Sequence, residues 1–194
     1  MLFRKGESMA EKIAFCCDLH INKDLLRLTE CLNFLDYLKK YCLANQIKHI
    51  VVGGDLFDTS NSIKNQMFIP FFNKLLEIKE SGIELLIIVG NHDSMNNDND
   101  CLAEAFKSFA HFIKKSETIN IGGVDYDFLS YTQNPTDLPN KGQVLLTHLE
   151  VEGFYFNPKK KCEDKTFTED SFDHYDLVVS GKRKVCFPWF SVCN

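Results

Sequence analysis

Four short segments carry the side chains that could do chemistry. Asp18-Leu19-His20 sets a carboxylate two residues before an imidazole. Gly53-Gly54-Asp55 leads on to Asp58, and Gly90-Asn91-His92-Asp93 strings together an amide, an imidazole and a carboxylate. His148 follows the apolar run Val144–Thr147. Singly, each has an ordinary explanation: a strand-end Asp capping a helix, a Gly-Asp turn, an Asx turn, a structural histidine. Together they offer carboxylate oxygen and imidazole nitrogen, the donor mixture that borderline divalent metals accept. Two such ions about 3.5–4 Å apart need a bridging carboxylate and can clamp a phosphate diester. A neighbouring imidazolium can then protonate the leaving oxygen.

What must position these groups is a set of strands. Lys12–Cys17 is a short apolar strand, and His49–Gly53 and Glu84–Val89 are two more, the last continuous and apolar as in a sheet covered on both faces. Between them, Leu25, Leu28, Leu32, Leu35, Leu38 and Cys42 recur at helical spacing, with Asn22 or Asp24 as the cap and an end near Asn45. A second helix carries Met67, Phe71, Phe72 and Leu75. Ser62 is its expected cap, Gly82 its end, and Pro70 a kink or its true start. Asn91 to Asp100 is a polar stretch, and Cys101–Lys115 reads as a third helix. Thr118–Gly122 and Val124–Tyr131 form a hairpin across Gly122-Gly123. Val144–Thr147 and Leu177–Ser180 are further strands, with loops over Gln133–Gly142 and Glu152–His174. A β-α-β-α-β start predicts an α/β fold with a partly parallel sheet. The carboxyl ends of parallel strands lie on one edge, where ligands bind. Each reactive segment follows a strand, so all four are expected at that edge. Gly53, Gly54 and Gly90 allow the sharp turns that aim the next side chain inward.

The 194 residues suit one domain, and 44% hydrophobic with 25% charged residues excludes a disordered chain. No apolar run approaches the ~20 residues of a membrane span. The start has no apolar signal segment, with Met9 an alternative first residue, so the expected location is cytoplasmic, or the host cytoplasm for a phage-encoded chain. A net charge of −5 argues against a basic binder of polyanions. An acidic protein can still meet phosphate through ions held by its own carboxylates. Eight cysteines without a CxxC pair read as reduced, buried thiols. Lys159-Lys160-Lys161 reads as a solvated run, Phe68, Phe71 and Phe72 as core, and His49 and His111 as structural. His174 is a stray ligand candidate.

The series Asp18-x-His20, Gly54-Asp55-x-x-Asp58, Gly90-Asn91-His92-Asp93 and His148 resembles the calcineurin-like metallophosphoesterases. GDLFDT and GNHD look most like the nuclease subunits of DNA double-strand-break repair complexes, SbcD-type and phage recombination endonucleases. Thr59-Ser60 and Asp93 speak against the serine/threonine phosphatase branch. The resemblance implies a two-sheet β-sandwich flanked by helices. It also implies two divalent ions, manganese first, with magnesium or another ion as alternative. By that likeness Asp18 and His20 bind the first ion, Asp55 bridges, and Asn91 and His148 bind the second. His92 is the general acid, Asp93 orients it, and Asp58 supports the ligands. DNA and an SbcC-type ATPase subunit are the implied partners, no membrane is involved, and a homodimer is compatible.

The likeness runs from about Lys12 to Gly181 and then breaks. The family pattern ends Gly-His-x-His, whereas Gly181 is followed by Lys182-Arg183-Lys184. The chain therefore divides into a tail over 1–11, a core over 12–181 that is incomplete at its C-terminus, and an aberrant stretch over 182–194. A reading-frame change or truncation after Gly181, an inactive homologue, and a working site with other ligands all account for the break. The leading expectation is a metal-dependent phosphodiesterase of the DNA exo- and endonuclease type. The alternatives are another phosphatase of the superfamily or an inactive fragment.

Overall fold

Ile50–Val52 and Leu85–Ile88 have no polar side to turn to water, so they suit strands covered on both faces. The computed structural model, which describes residues 11–58, 62–93, 101–157, 160–181 and 185–188, makes them the centre of a sheet. β1 (Ile13–Cys16), β2 (His49–Gly53), β3 (Glu84–Ile88) and β4 (His111–Ile113) lie parallel in that order. Two helices make the crossovers, α1 (Leu25–Ala44) after β1 and α2 (Asn65–Glu80) after β2. The other large sheet has the order β11-β10-β7-β6-β5. Its members are β5 (Ser116–Ile121), β6 (Val124–Leu129), β7 (Val144–Thr147), β10 (Leu177–Ser180) and β11 (Val185–Pro188). β6, β7 and β10 run parallel, and β5 and β11 pair antiparallel on the flanks. β8 (Tyr155–Asn157) and β9 (Lys160–Lys161) form a small hairpin inside the stretch expected to be loop.

Strand period two sorts the core into layers. Val51, Leu86, Ile88 and Ile113 point from the first sheet onto Ile121, Phe128 and Leu146 of the second. The intervening residues Ile50, Val52, Leu85 and Ile87 face the helices, joined by Leu35, Phe57, Phe71 and Phe106. Leu129, Leu145 and Val178 face the other way and are covered by Leu149, Val151, Phe167, Phe172 and Tyr175. The result is the expected two-sheet sandwich. Its two helices cover the outer face of the first sheet, and the 149–175 segment does that work for the second. Among the described residues no helix is long and apolar enough to cross a membrane.

Three local expectations are corrected. The third helix over Cys101–Lys115 is instead a 3-10 turn, Leu102–Ser108, followed by β4. Phe106 and Phe109 pack among Phe68, Phe71 and Phe72. Residues His111–Ile113 pair with Leu86–Ile88, so tertiary packing overrides the helical period. α2 starts at Asn65 with Lys64 at its cap, and Ser62 does not cap it. Pro70 sits within α2 without ending it, because the one bond it forfeits is to the carbonyl of Gln66, in the exposed first turn. α1 is capped by Asp24, whose carboxylate accepts from Leu26 N at 2.9 Å, and Asn22 in turn accepts from Asp24 N at 2.8 Å.

Phe68, Phe71 and Phe72 belong to the core as expected. Cys16, Cys31, Cys42 and Cys162 are buried free thiols, and Cys17 and Cys101 are half-buried free thiols. His49 and His111 lie by Glu11 and Glu117 at 3.6 and 2.7 Å. His174 is exposed at the Pro139 carbonyl, 3.4 Å away, and takes no part in the site. Residues 1–10, Thr59-Ser60, Ser94 to Asp100 of the polar stretch, Lys159, Lys182-Arg183-Lys184 and Cys193 lie outside the described residues.

One buried carboxylate joins the second sheet to its cover. Asp127 accepts from Thr118 Oγ1 at 2.6 Å, Gly142 N at 2.9 Å, Lys141 N at 3.1 Å and the Tyr175 hydroxyl at 2.9 Å. Burial favours the protonated form, but these donors outweigh it and hold the carboxyl below its ordinary range. A depressed folded-state value gives stability that is complete above the unfolded pKa, ~3.9, and is lost as pH falls below it. Asp127→Asn should therefore cost ~1.5–3 kcal/mol in urea unfolding at pH 7, the worth of a charged hydrogen bond. The gap to the parent should shrink in acid. An equal gap at pH 7 and at pH 3 would show that Asp127 is not ionised in the fold.

Candidate metal centre

The turns after β1 and β2 are built as a pair. Asp18, His20 and Asp55 have positive φ values of 56°, 48° and 53°, a region that L residues enter at a cost. The two turns hold one another there. Asp18 N donates to Gly54 O at 3.1 Å, His20 N to Asp55 O at 3.0 Å, Ile21 N to Leu56 O at 2.9 Å and Asp58 N to Ile21 O at 3.1 Å. From α1, Arg27 donates to the carbonyls of Leu19 and Asp18, both at 3.0 Å, and fixes the first turn from outside. Side chains 18, 20, 55 and 58 are thereby brought together.

The turn after β3 closes on them. A Cβ on Gly90 would fall 2.1 Å from Asp55 Oδ1, so only glycine lets the Asp55 carboxylate in. Asp55 Oδ1 accepts from His92 N at 2.9 Å. His148, fully buried, comes in from the second sheet after β7, with Nδ1 2.7 Å from the Gly53 carbonyl. A carbonyl can only accept, so Nδ1 carries a proton, and Nε2 is the nitrogen turned to Asp55. That Nε2 lies 3.3 Å from Asp55 Oδ2 with no hydrogen-bond partner. Gly54 and Gly181 leave room for the ring, since a Cβ on either would fall within 3 Å of Nδ1.

The same Asp55 Oδ2 is 3.7 Å from His20 Nε2, which is also 3.7 Å from Asp18 Oδ1. His20 Nδ1 is 3.5 Å from Asp58 Oδ1. The Asp18 carboxylate first, then Asp55 and Asp58, raise the pKa of His20 against the opposing effect of burial. Burial pushes Asp55 upward, but His148 and the His92 amide prevail and lower it.

Two donor groups result. Asp18, Asp55 and His148 form one, and His20, Asp58 and His92 the other, with the ligand atoms of each within 4.8 Å of one another. The residues fit divalent ions on structural grounds. His148 Nε2, His20 Nδ1 and Asn91 Oδ1 are buried polar atoms without hydrogen-bond partners, and the first faces a carboxylate. A cation satisfies such atoms where a proton donor is lacking.

Apart from His174, every candidate site residue is brought to this edge, and one stands differently from expectation. Asp93 does not orient the His92 ring. Its fully buried carboxylate accepts from Phe57 N and Gly90 N, both at 3.0 Å, and so ties the second turn to the third. The His92 ring is placed by the Asp58 carbonyl, 2.9 Å from Nδ1, and meets His20 edge-on with centroids 5.1 Å apart. The Asp58 side chain lies beside His20, with Oδ1 3.5 Å from Nδ1, on the edge of the ring away from Asp18 and Asp55, where a carboxylate can orient a ligating imidazole. Two residues that shape the site, Arg27 and Gly181, carry little sign of it in sequence. An arginine on a helix gives no hint that it holds a loop, and Gly181 stands out only as the residue before a broken motif.

With this fold and donor set, the chain belongs to the calcineurin-like phosphoesterase family, whose model matches residues 11–183. It is a hydrolase family whose members use divalent metals. The chain is 29% identical to the SbcD component of the SbcCD nuclease of Escherichia coli K12 over 100 residues, 47% of this chain and 24% of that protein. The SbcD component from Escherichia coli O157:H7 gives the same figures. The chain thus spans about a quarter of the length of these relatives. Among solved structures it is similar to YfcE, a phosphoesterase from E. coli, at 19% identity and a TM-score of 0.39, over 72% of this chain and 71% of that one.

The geometry predicts how metal binding divides among residues. Asp55→Ala should abolish manganese binding in calorimetry, and His148→Ala should weaken it at least ~10–100-fold, the cost of losing even an outer contact. Circular dichroism checks that both variants fold. Unchanged binding in folded Asp55→Ala would dismiss Asp55 as the shared ligand.

Proposed function

We propose that the chain is a metal-dependent phosphodiesterase of the DNA nuclease type, acting with an ATPase partner. The observation that carries this reading is the position of Asp55 Oδ2, between His148 Nε2 at 3.3 Å and His20 Nε2 at 3.7 Å. One carboxylate oxygen set between two donor groups suits two neighbouring ions. Asp18 and His20 on one side, Asn91 and His148 on the other, and Asp55 shared between them, would hold them. Divalent ions, manganese first, supply Lewis-acid polarisation of the phosphate and acidify a water.

The chain's own groups do the rest. His148 keeps its proton on Nδ1 through the Gly53 carbonyl, so Nε2 stays a donor to metal. Asp55 Oδ1, engaged by the His92 amide, leaves Oδ2 for sharing. His92 is exposed, and the Asp58 carbonyl occupies Nδ1. Nε2 is then the edge that can pass a proton to the leaving oxygen. Likeness to a subunit of the SbcCD nuclease supports a nuclease, and the resemblance of the GDLFDT and GNHD segments to repair nucleases supports DNA as substrate and an ATPase as partner.

A second reading, a non-hydrolytic member of the family, rests on Lys182 and Lys184 standing where the family pattern has histidines. Gly181 brings the chain to the site, with its N donating to Thr147 O at 2.7 Å and no room for a Cβ beside His148 Nδ1.

Two measurements test these readings. His92→Ala should lower kcat on a chromogenic phosphodiester ~10²–10⁴-fold while manganese affinity hardly moves. An equal loss of affinity would make His92 a ligand, as its place near His20 and Asp58 also permits. Lys182→His combined with Lys184→His should raise manganese affinity at least ~10–100-fold and increase hydrolysis, with much smaller effects from either change alone. A double variant that binds metal no better than the parent would favour the non-hydrolytic reading.

A further inference from the structure

Beside the metal centre lies a cavity of about 480 Å³ that the chemistry described above leaves unused. It sits at the carboxyl ends of β3, β4 and β6, on the side of the parallel sheet away from β1. Val89 and Leu129 line it together with Lys114, Lys115, Tyr131 and Gln133.

Hydrogen bonds make it a built feature. Ser130 Oγ donates to Ile113 O at 2.6 Å and accepts from Val89 N at 3.0 Å, and Tyr131 N donates to Val89 O at 2.8 Å. These bonds lock together the ends of three strands. The adjoining loop is braced on Asp137, which accepts from Thr132 Oγ1 at 2.6 Å and Asn134 Nδ2 at 3.2 Å.

The cavity and the metal centre share a wall. Val89 immediately precedes Gly90, which packs against Asp55. Tyr131, whose N donates to the Val89 carbonyl at 2.8 Å, is held beside the start of the turn that packs on Asp55.

The lining selects a type of ligand. The volume falls in the ~300–1,000 Å³ range of small-molecule seats. The lining is mixed, and within it the Tyr131 ring can take the face of a nucleobase while the Gln133 amide can read its polar edge. Lys114 is engaged by Glu104 at 2.8 Å, which leaves Lys115, exposed in the same lining, to meet a phosphate. A small phosphomonoester would leave Tyr131 and Gln133 unused.

We propose that this cavity seats the nucleoside next to the phosphate at the metal centre, with Tyr131 as the stacking surface and Lys115 on a neighbouring phosphate. Its place in catalysis rests on the phosphodiesterase reading above, and its binding of nucleotide does not.

The test is anisotropy titration of a fluorescein-labelled short oligothymidylate with the full chain in calcium buffer. Tyr131→Ala should raise Kd ~5–150-fold, the range expected for loss of one stacked base. Tyr131→Phe, which keeps the ring, should restore most of the affinity and guards against misfolding of the alanine variant. Lys115→Glu should weaken binding, whereas Lys40→Glu, on the far helix α1, should change Kd little. The proposal is overturned if the parent does not bind, if folded Tyr131→Ala binds like the parent, or if Lys40→Glu costs as much as Lys115→Glu. Hydrolysis of bis(p-nitrophenyl) phosphate by the parent separates the two readings. Hydrolysis without oligonucleotide binding would remove the nucleoside seat and leave the phosphodiesterase. Binding that depends on Tyr131 without hydrolysis would do the reverse.

Discussion

The Asp55 carboxylate is the constraint around which the molecule is arranged. One oxygen is engaged by a backbone amide from the turn after β3, and the other lies between imidazoles delivered from β1 and β7. A buried carboxylate needs that many donors nearby to remain ionised. Its own backbone is left-handed, with φ at 53°, a conformation held by the neighbouring turn through the His20 amide. Gly90 must lack a side chain for the carboxylate to fit at all. The requirements of this one residue reach into three strands and both large sheets.

Much of this was legible in the sequence because burial on both faces leaves a plain mark. The apolar runs of β2 and β3 could hardly be anything else, and the polar residues that end them fall at one edge of a parallel sheet by topology alone. The family resemblance then supplied ligand roles that the residues alone left open. What stayed hidden depended on partners far along the chain. His111–Ile113 has a helical neighbourhood in sequence and becomes a strand only because β3 offers an open edge. Asp93 and His92 are adjacent, and the family likeness implied that one orients the other. The Asp93 carboxylate is consumed instead by the amides of Phe57 and Gly90. Backbone donors of that kind have no signature in residue type.

The acidic balance of the chain also finds a physical place. Asp18, Asp55 and Asp58 crowd one edge with two histidines and a third nearby. Like charges so close repel unless cations intervene. An overall charge of −5 is thus compatible with chemistry on phosphate, because the positive charge that meets the substrate need not come from lysine or arginine.

His148 and Gly181 come from the second sheet, whereas the other donors come from the first. The donor group that contains His148 is therefore divided across the sandwich, and the first layer cannot complete it alone. A chain whose sheets have not yet docked lacks the complete centre, so metal affinity reports on assembly as well as on chemistry. By mass action, an ion that binds only the docked form acts as a rivet between the layers. Starvation for metal then loosens the sandwich along the seam where Gly53, His148 and Gly181 meet.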